Sequence, residues 1–486
     1  MADYTFLLTT RLSQDQQLVL QVLQEVCRAH TLNLYFSGSS MRDLLTAQTL
    51  RLLQFTCEGD PVPLQKELAA RGAEQVSARA ETSTVSFHLR RCRARIEAAQ
   101  DAHGHTGVSI HEDLRRRSLT LNSVGLSLNP GSRGLPLDPA NGVADIEARL
   151  IRMNHAYVFV DDPMAALRAV RLRTRLGFAV EERTQARMDT ARDENYLADA
   201  SPAAKGQEWE AIAYEPDPAA VVTALEKERW LGAAFGAGVR SSRMNLAGLA
   251  RLSEAVEAWE QLGLTMDVGQ AAMPMLLGGL SPADQNRIAL WLPSRHLAAG
   301  WKKLPQQAAA LEAQLLALPS GSRWLRSAYD VVQKYASEVV LYATVSPRQA
   351  KGGRKLREYY SQAAEQRRKL PLGVLRGLRL APHSQRAEEI LRPWFERLLA
   401  GQDLSETELS AGVRGAALAQ TAPTAVRRTA ATAAKEAVAK EAKEAAAKFR
   451  IATAKRASPP APRPAARPAP TRSTPASKAK PTRKRK

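Results

Sequence analysis

The chain has 486 residues, 44% of them hydrophobic, and a formal net charge of +20, long enough for two to four domains with cores of their own. Three cysteines, Cys27, Cys57 and Cys92, without paired spacing, and eight scattered histidines argue against a disulfide framework or a structural zinc site and for a reducing, cytoplasmic setting. No charged segment leading into an apolar one opens the chain, and no run approaches the roughly 18 apolar residues of a membrane span, so a soluble protein without a membrane partner is expected.

Leu18, Val22 and Val26, with Leu20, Leu23 and Cys27, recur at helical spacing and predict an amphipathic helix over Leu12–His30. The run from Leu32 to Phe36 reads as a strand, and Ser37, Gly38, Ser39 and Ser40 as a tight turn feeding a helix over Met41–Leu45. Small residues at such a turn bring backbone N–H groups and the positive end of a helix dipole toward a phosphate, although Gly and Ser also punctuate ordinary turns. A second strand, 52–60, ends in Glu58-Gly59-Asp60.

Three arginines, Arg115, Arg116 and Arg117, then run into Thr120 and Asn122. Guanidinium groups gathered beside small polar residues suit a triphosphate; a solvated basic turn is the plainer alternative. Leu137-Asp-Pro-Ala-Asn141-Gly is a turn signal, and 161–178 is a basic helix that Gly177 ends as a C-cap. From about 180 to 400 the text is helical, and all seven tryptophans fall there; aromatics at helical spacing are more often core than RNA-stacking platforms. Arg348, Lys351, Arg354, Lys355 and Arg357, with Tyr359 and Tyr360 interleaved, form the body stretch best suited to an RNA backbone. Residues 421–486 hold 18 Lys and Arg against 3 Glu, a net of +15 that leaves +5 for the rest. That Ala-, Lys- and Pro-rich tail cannot build a core; it is expected to be disordered and to bind nucleic acid without regard to sequence, or merely to solubilise.

Four segments taken in order, 34–45 (LYFSGSSMRDLL), 112–128 (EDLRRRSLTLNSVGLSL), 137–152 (LDPANGVADIEARLIR) and 161–178 (DDPMAALRAVRLRTRLGF), resemble the head and neck of the class II tRNA nucleotidyltransferases. These are the CCA-adding and A-adding enzymes grouped with bacterial poly(A) polymerases. A weaker echo lies at 378–401. The resemblance implies an α+β fold: a nucleotidyltransferase head with a mixed sheet and flanking helices, then an all-α neck and body. The corresponding divisions are an N-terminal helix at 1–30, the head at 31–152, the neck at 153–235, the body at 236–411 and the basic tail at 412–486.

By the same resemblance, Gly38, Ser39, Arg42 and Asp43 stand where family members hold the incoming nucleotide's phosphates. Arg116, Arg117 and Asn122 match the arginine clamp, with Ser118 where an aspartate is usual. Asp161 and Asp162 match acids that read the nucleotide base, Ala165 replaces the arginine that reads it with them, and Arg168 and Arg171 match arginines that contact the nucleotide. Family members also carry two aspartates as DxD on the strand before the Glu-Gly-Asp, and with a third carboxylate on a neighbouring strand these hold two magnesium ions. Here those positions are Leu52 and Gln54, and the third is expected near Ser86. Glu58 lies about 13 Å beyond Gln54 along the strand, too far to serve the same ion. Neutral side chains cannot offset two divalent cations.

Three readings remain. One is a family member that binds RNA, the tRNA 3′ end above all, with ATP or CTP as a further ligand and catalysis lost. Another is an active C- or A-adding enzyme using Mg2+. The last is a nucleic-acid-binding scaffold without catalysis.

Overall fold

The helix expected over Leu12–His30 is α2 (Gln14–Ala29), capped at Ser13 and preceded by a separate α1 (Tyr4–Arg11). The Ser13 hydroxyl accepts from the Gln16 N–H while the Gln16 side chain returns to the Ser13 N–H, satisfying donors that have no partner within the helix. The computed structural model describes residues 4–421, apart from 91, 263–265, 322, 379 and 381–384. The echo at 378–401 therefore lies partly outside the described residues, and the tail from 422 onward lies wholly outside them.

Seven strands form one mixed sheet: β1 (Asn33–Ser37), β2 (Leu53–Glu58), β3 (Glu74–Arg79), β4 (Thr84–Leu89), β5 (Cys92–Ala98), β6 (Gly125–Ser127) and β7 (Pro136–Leu137), in spatial order β3-β4-β5-β2-β1-β6-β7. Only β2 and β5 run parallel, which places Gln54 beside Arg95 and Thr56 beside Glu97. Alternation along β5 buries Cys92, Ala94, Ile96 and Ala98 and turns Arg93, Arg95 and Glu97 to the other face. On the buried face Phe36 and Phe55 meet edge to face at 5.5 Å, in a core shared with Leu23 and Val26 of α2.

Helix α3 (Gly38–Leu45) starts at Gly38, three residues before the expected Met41, and α4 (Gln65–Ala70) and α5 (Ile110–Arg116) complete the head's longer connections. The turn into α6 (Gly142–Glu147) is held by Asp138, whose carboxylate accepts the Gly142 and Val143 N–H groups at 2.7 and 2.9 Å. Asn141 sits there at φ 55°, a left-handed conformation that Asn tolerates better than most residues, so it can stand where a glycine is usual.

A two-stranded parallel pair, β8 (Leu150–Ile151) and β9 (Ala179–Val180), brackets α7 (Val158–Asp161) and α8 (Ala165–Leu176). Gly177 ends α8 at φ 66°, the C-cap its position predicts. Then come α9 (Glu182–Asp193), α10 (Pro202–Ala213), α11 (Pro218–Lys227) and further helices through Leu399. Neck and body share a single apolar core running from Leu119 to Ala417. Five of the seven tryptophans are buried, leaving only Trp291 and Trp394 partly exposed, so the tryptophans chiefly build that core. The tail boundary expected at 412 falls inside a helix, Glu406–Thr421. Among the described residues, no helix is long and apolar enough to cross a membrane. The fold is α+β, a mixed-sheet head followed by a helical body.

Candidate functional site: a cleft over the sheet and the charge ladder beside it

Gly38 takes φ +64° at the head of α3, and a Cβ there would lie 2.7 Å from Nη1 of Arg117 and 2.8 Å from Oε1 of Gln54. The turn is thus closed over by two side chains from elsewhere in the head. The Ser39 backbone N–H and hydroxyl both donate to Gln54 Oε1, at 3.1 and 2.7 Å. These are donors that a phosphate would otherwise take. Arg42 and Asp43 are buried and pair with each other at 2.8 Å; Arg42 also donates to Asn122 Oδ1 at 2.7 Å. They brace the turn from below rather than lining it.

The metal positions can be tested by their donors. Leu52, just ahead of β2, offers hydrocarbon; its carbonyl accepts the Ser40 hydroxyl. Gln54 turns its Oε1 to Ser39 and its Nε2 to Glu97 Oε1 at 2.7 Å. The third carboxylate expected near Ser86 is misplaced, because β4 is separated from β2 by β5. The neighbouring strand does carry an acid, Glu97, paired in register with Thr56. Glu97 also lies 3.6 Å from Arg117. Glu58 is occupied as a bracket, accepting the Ile110 N–H at 2.9 Å and the Asn33 amide at 2.8 Å, and Asp60 accepts the Val62 N–H. No group of three or more His, Cys, Asp or Glu among the described residues is placed to hold a metal. One engaged carboxylate, an amide and a leucine do not fit a pair of divalent cations.

The three clamp arginines separate. Arg115 is exposed. Arg116 reaches the Gln100 carbonyl at 2.7 Å and Asp113 at 2.9 Å; Arg117 holds the other oxygen of Asp113 at 2.7 Å, then reaches the Thr56 hydroxyl at 2.9 Å on the cleft floor. Asp113 is fully buried, so two guanidinium groups and one carboxylate make a bracket of net charge +1. Burial works against the charge on Arg117, but Asp113 and Glu97 outweigh it and raise its pKa.

Beside this cleft a ladder of alternating charges joins head to neck. Asp162 accepts from Ser118 at 2.6 Å and Arg168 at 2.7 Å. Arg168 faces Glu208 at 3.7 Å; Arg171 bridges Glu208 at 2.6 Å and Glu215 at 2.5 Å. Arg175 lies 3.8 Å from Glu215 and 2.9 Å from Asp43, which returns to Arg42. Burial opposes ionisation of both Asp162 and Arg171. Arg168 and Ser118 nonetheless hold the Asp162 carboxyl below its usual range, and Glu208 with Glu215 raise the Arg171 pKa. Ala165 is buried at the start of α8, while Asp161 is exposed, with only His155 approaching at 3.9 Å. The expected nucleotide contacts Arg42, Asp43, Asp162, Arg168 and Arg171 are thus gathered in one network, which already satisfies them internally.

Sequence reasoning missed Glu97, Arg95, Arg175 and Glu215. The alternation Arg93, Arg95, Glu97 was a signal for the first two; nothing local marks Glu215, which lies between α10 and α11. In the body, Arg348, Lys351, Arg354 and Arg357 are exposed around the start of the Ala350–Arg368 helix. Lys355 is half-buried, paired with Glu358 at 2.9 Å and held over Trp324. Tyr359, expected among the surface groups, is buried against Trp259; its offsets of three residues from the core residue Leu356 and four from Ala363 put it on the inner face.

Comparison with known proteins fits this geometry. Residues 34–152 match the family model of the poly A polymerase head domain. An A-adding tRNA nucleotidyltransferase of Halalkalibacterium halodurans is 29% identical over 273 residues, 51% of this chain and 60% of that protein. Another, from Aquifex aeolicus, is 31% identical over 164 residues, 32% of this chain and 20% of that protein. The chain thus spans three-fifths of the first relative's length and one-fifth of the second's. Among solved structures, a tRNA nucleotidyltransferase complexed with a primer tRNA and an incoming ATP analog is 22% identical, covering 71% of this chain and 98% of that one at a TM-score of 0.43. Residues 34–152 are thus similar to the poly A polymerase head domain, and about half of the chain is similar to the A-adding tRNA nucleotidyltransferases.

Proposed function

We propose that this protein binds RNA, the 3′ end of tRNA or a tRNA-like molecule, through the cleft and the exposed basic start of the Ala350–Arg368 helix, without transferring nucleotides. The observation that carries this reading is the donor set at the metal positions: Leu52, Gln54 and a Glu97 already engaged by Gln54. Nucleotidyl transfer in this family requires carboxylates that hold divalent cations against the nucleotide and the RNA hydroxyl. The clamp and ladder, by contrast, need no metal to stay folded. ATP or CTP is a second ligand of the same cleft, competing with Gln54 for the Ser39 donors. The tail adds salt-sensitive, sequence-blind affinity for nucleic acid, since its net charge of +15 releases counterions wherever it meets phosphates. Three buried free cysteines suit the reducing cytoplasm in which tRNA is matured.

A second reading, the active C- or A-adding enzyme, is favoured by one observation: Glu97 is a carboxylate on the strand beside β2. The deciding experiment is nucleotide addition by the full chain, with Mg2+ or Mn2+, labelled ATP and CTP in separate reactions, and tRNA lacking its terminal nucleotides. The expected result is no incorporation alongside measurable tRNA binding in the same preparation. Incorporation that scales with protein and disappears with chelator would overturn the non-catalytic reading and establish the second one.

A further inference from the structure

The cleft face of the sheet carries a cation where the family's chemistry calls for metal, and no acid among the described residues pairs with it. Arg95 stands on β5 in register with Gln54 of β2 on one side and Ser86 of β4 on the other. Its Nε donates to the Ser86 hydroxyl at 3.4 Å. Its terminal nitrogens meet no acceptor and it forms no ion pair among the described residues, whereas Arg93, two positions before it, is paired with Glu210 at 3.1 Å and lies flat on Tyr214. Glu97, two positions after it, is taken by Gln54 and faces Arg117. Arg95 is half-buried, so its charge is held in a partly desolvated wall with its donors free.

We propose that Arg95 is an anion seat that replaces the divalent cations of this cleft, so that the protein grips a phosphate group there without metal. A guanidinium fork presents paired donors that match two phosphate oxygens, and a half-buried cation without a counterion favours an anionic ligand. Magnesium is disfavoured at the same place, because Arg95 and Arg117 flank the one remaining carboxylate and like charges repel. The side chains around the seat, Ser86, Gln54 and Arg117, are neutral or cationic, and the nearby carboxylate, Glu97, is already held by Gln54 and Arg117. The ligand class is therefore a phosphate oxyanion, either the terminal phosphodiester of an RNA or the triphosphate of a nucleotide. This inference rests on the RNA-binding reading above and sharpens it, since it states how the cleft holds its ligand once metal is gone.

The test uses the full chain in excess EDTA, with two ligands measured separately: labelled ATP by equilibrium dialysis, and tRNA lacking its 3′-terminal nucleotides by fluorescence anisotropy at a salt concentration that suppresses tail binding. The expected result is that one or both ligands bind in EDTA, that adding Mg2+ changes the affinity less than twofold, and that Arg95→Ala weakens binding by about tenfold. Arg95→Lys, which keeps charge but loses the fork, should weaken it less. The arm that responds identifies the source of the phosphate. Circular dichroism and a melting curve on each variant separate loss of binding from loss of fold, and the lysine variant keeps the comparison open if alanine unfolds the sheet. Binding that requires Mg2+, or Arg95→Ala binding both ligands as the parent does, overturns the anion seat while leaving RNA binding intact. Failure of the parent to bind either ligand overturns both readings together.

Discussion

The cleft floor and the charge ladder beside it lie on adjoining surfaces, yet they satisfy their polar groups in very different ways. On the floor the side chains are neutral at Leu52 and Gln54, and the Gln54 amide bridges Ser39 and Glu97. In the ladder acids and arginines are paired from Asp162 through Arg168, Glu208, Arg171, Glu215 and Arg175 to Asp43. The difference teaches what each set of residues does for folding. Metal-binding carboxylates repel one another until a cation arrives, so replacing them with neutral groups costs the fold little. Members of a buried alternating ladder hold one another, and removing any one strands a charge.

That contrast gives graded expectations. The largest effect falls on Arg171. Arg171→Ala leaves Glu208 and Glu215, both buried, facing an unpaired site, and should cost about 3–5 kcal/mol of stability, read as a shift of the urea denaturation midpoint. A loss under about 1 kcal/mol would mean the ladder behaves like a surface network. Next comes the floor. Leu52→Asp with Gln54→Asp adds two acids to Glu97 and should create a Mn2+ site detectable by electron paramagnetic resonance, at a stability cost of about 1–2 kcal/mol for the lost Gln54 bonds. If no ion binds, Glu97 is not placed as the third ligand, and the floor has diverged beyond its side chains.

The smallest effect is the ladder's dependence on acid. The Asp162 carboxyl is lowered in the folded protein, so the unfolded chain takes up its proton first as pH falls. Its stabilising contribution is therefore complete above about pH 5 and declines below the ordinary carboxylate value of about 3.9 toward the lowered folded value. Asp162→Asn should lessen the loss of stability between about pH 4 and 3, seen in melting temperatures across that range. An unchanged acid profile would assign the dependence to other carboxylates.

The head's strand and turn, the neck helix with its Gly177 cap, and the helical body were legible because each rests on local period or capping chemistry. Arg116, Arg117, Arg168 and Arg171 stood out through the resemblance to known motifs, but their pairing with Asp113, Asp162 and Glu208 was not legible. Nor was the third carboxylate. Ser86 and Glu97 lie on adjacent strands with similar alternating text, and only strand order shows that β5, not β4, abuts β2. Tyr359 was misjudged for a related reason, as basic neighbours in the sequence hid its place on the inner face of its helix.

The sequence by itself determined the secondary elements, the tail's polycationic character and the neutral side chains at Leu52 and Gln54, because these depend on residue type and short-range spacing. Tertiary structure decided which charges are already spent. Whether Arg117 is a free clamp or a partner of Asp113, whether Ser39 offers its donors or gives them to Gln54, and whether Arg95 has a counterion depend on side chains far apart in the chain. Parallel pairing of β2 with β5 and packing of α8 against the head bring these together, and electrostatic attraction over a few ångströms settles the rest.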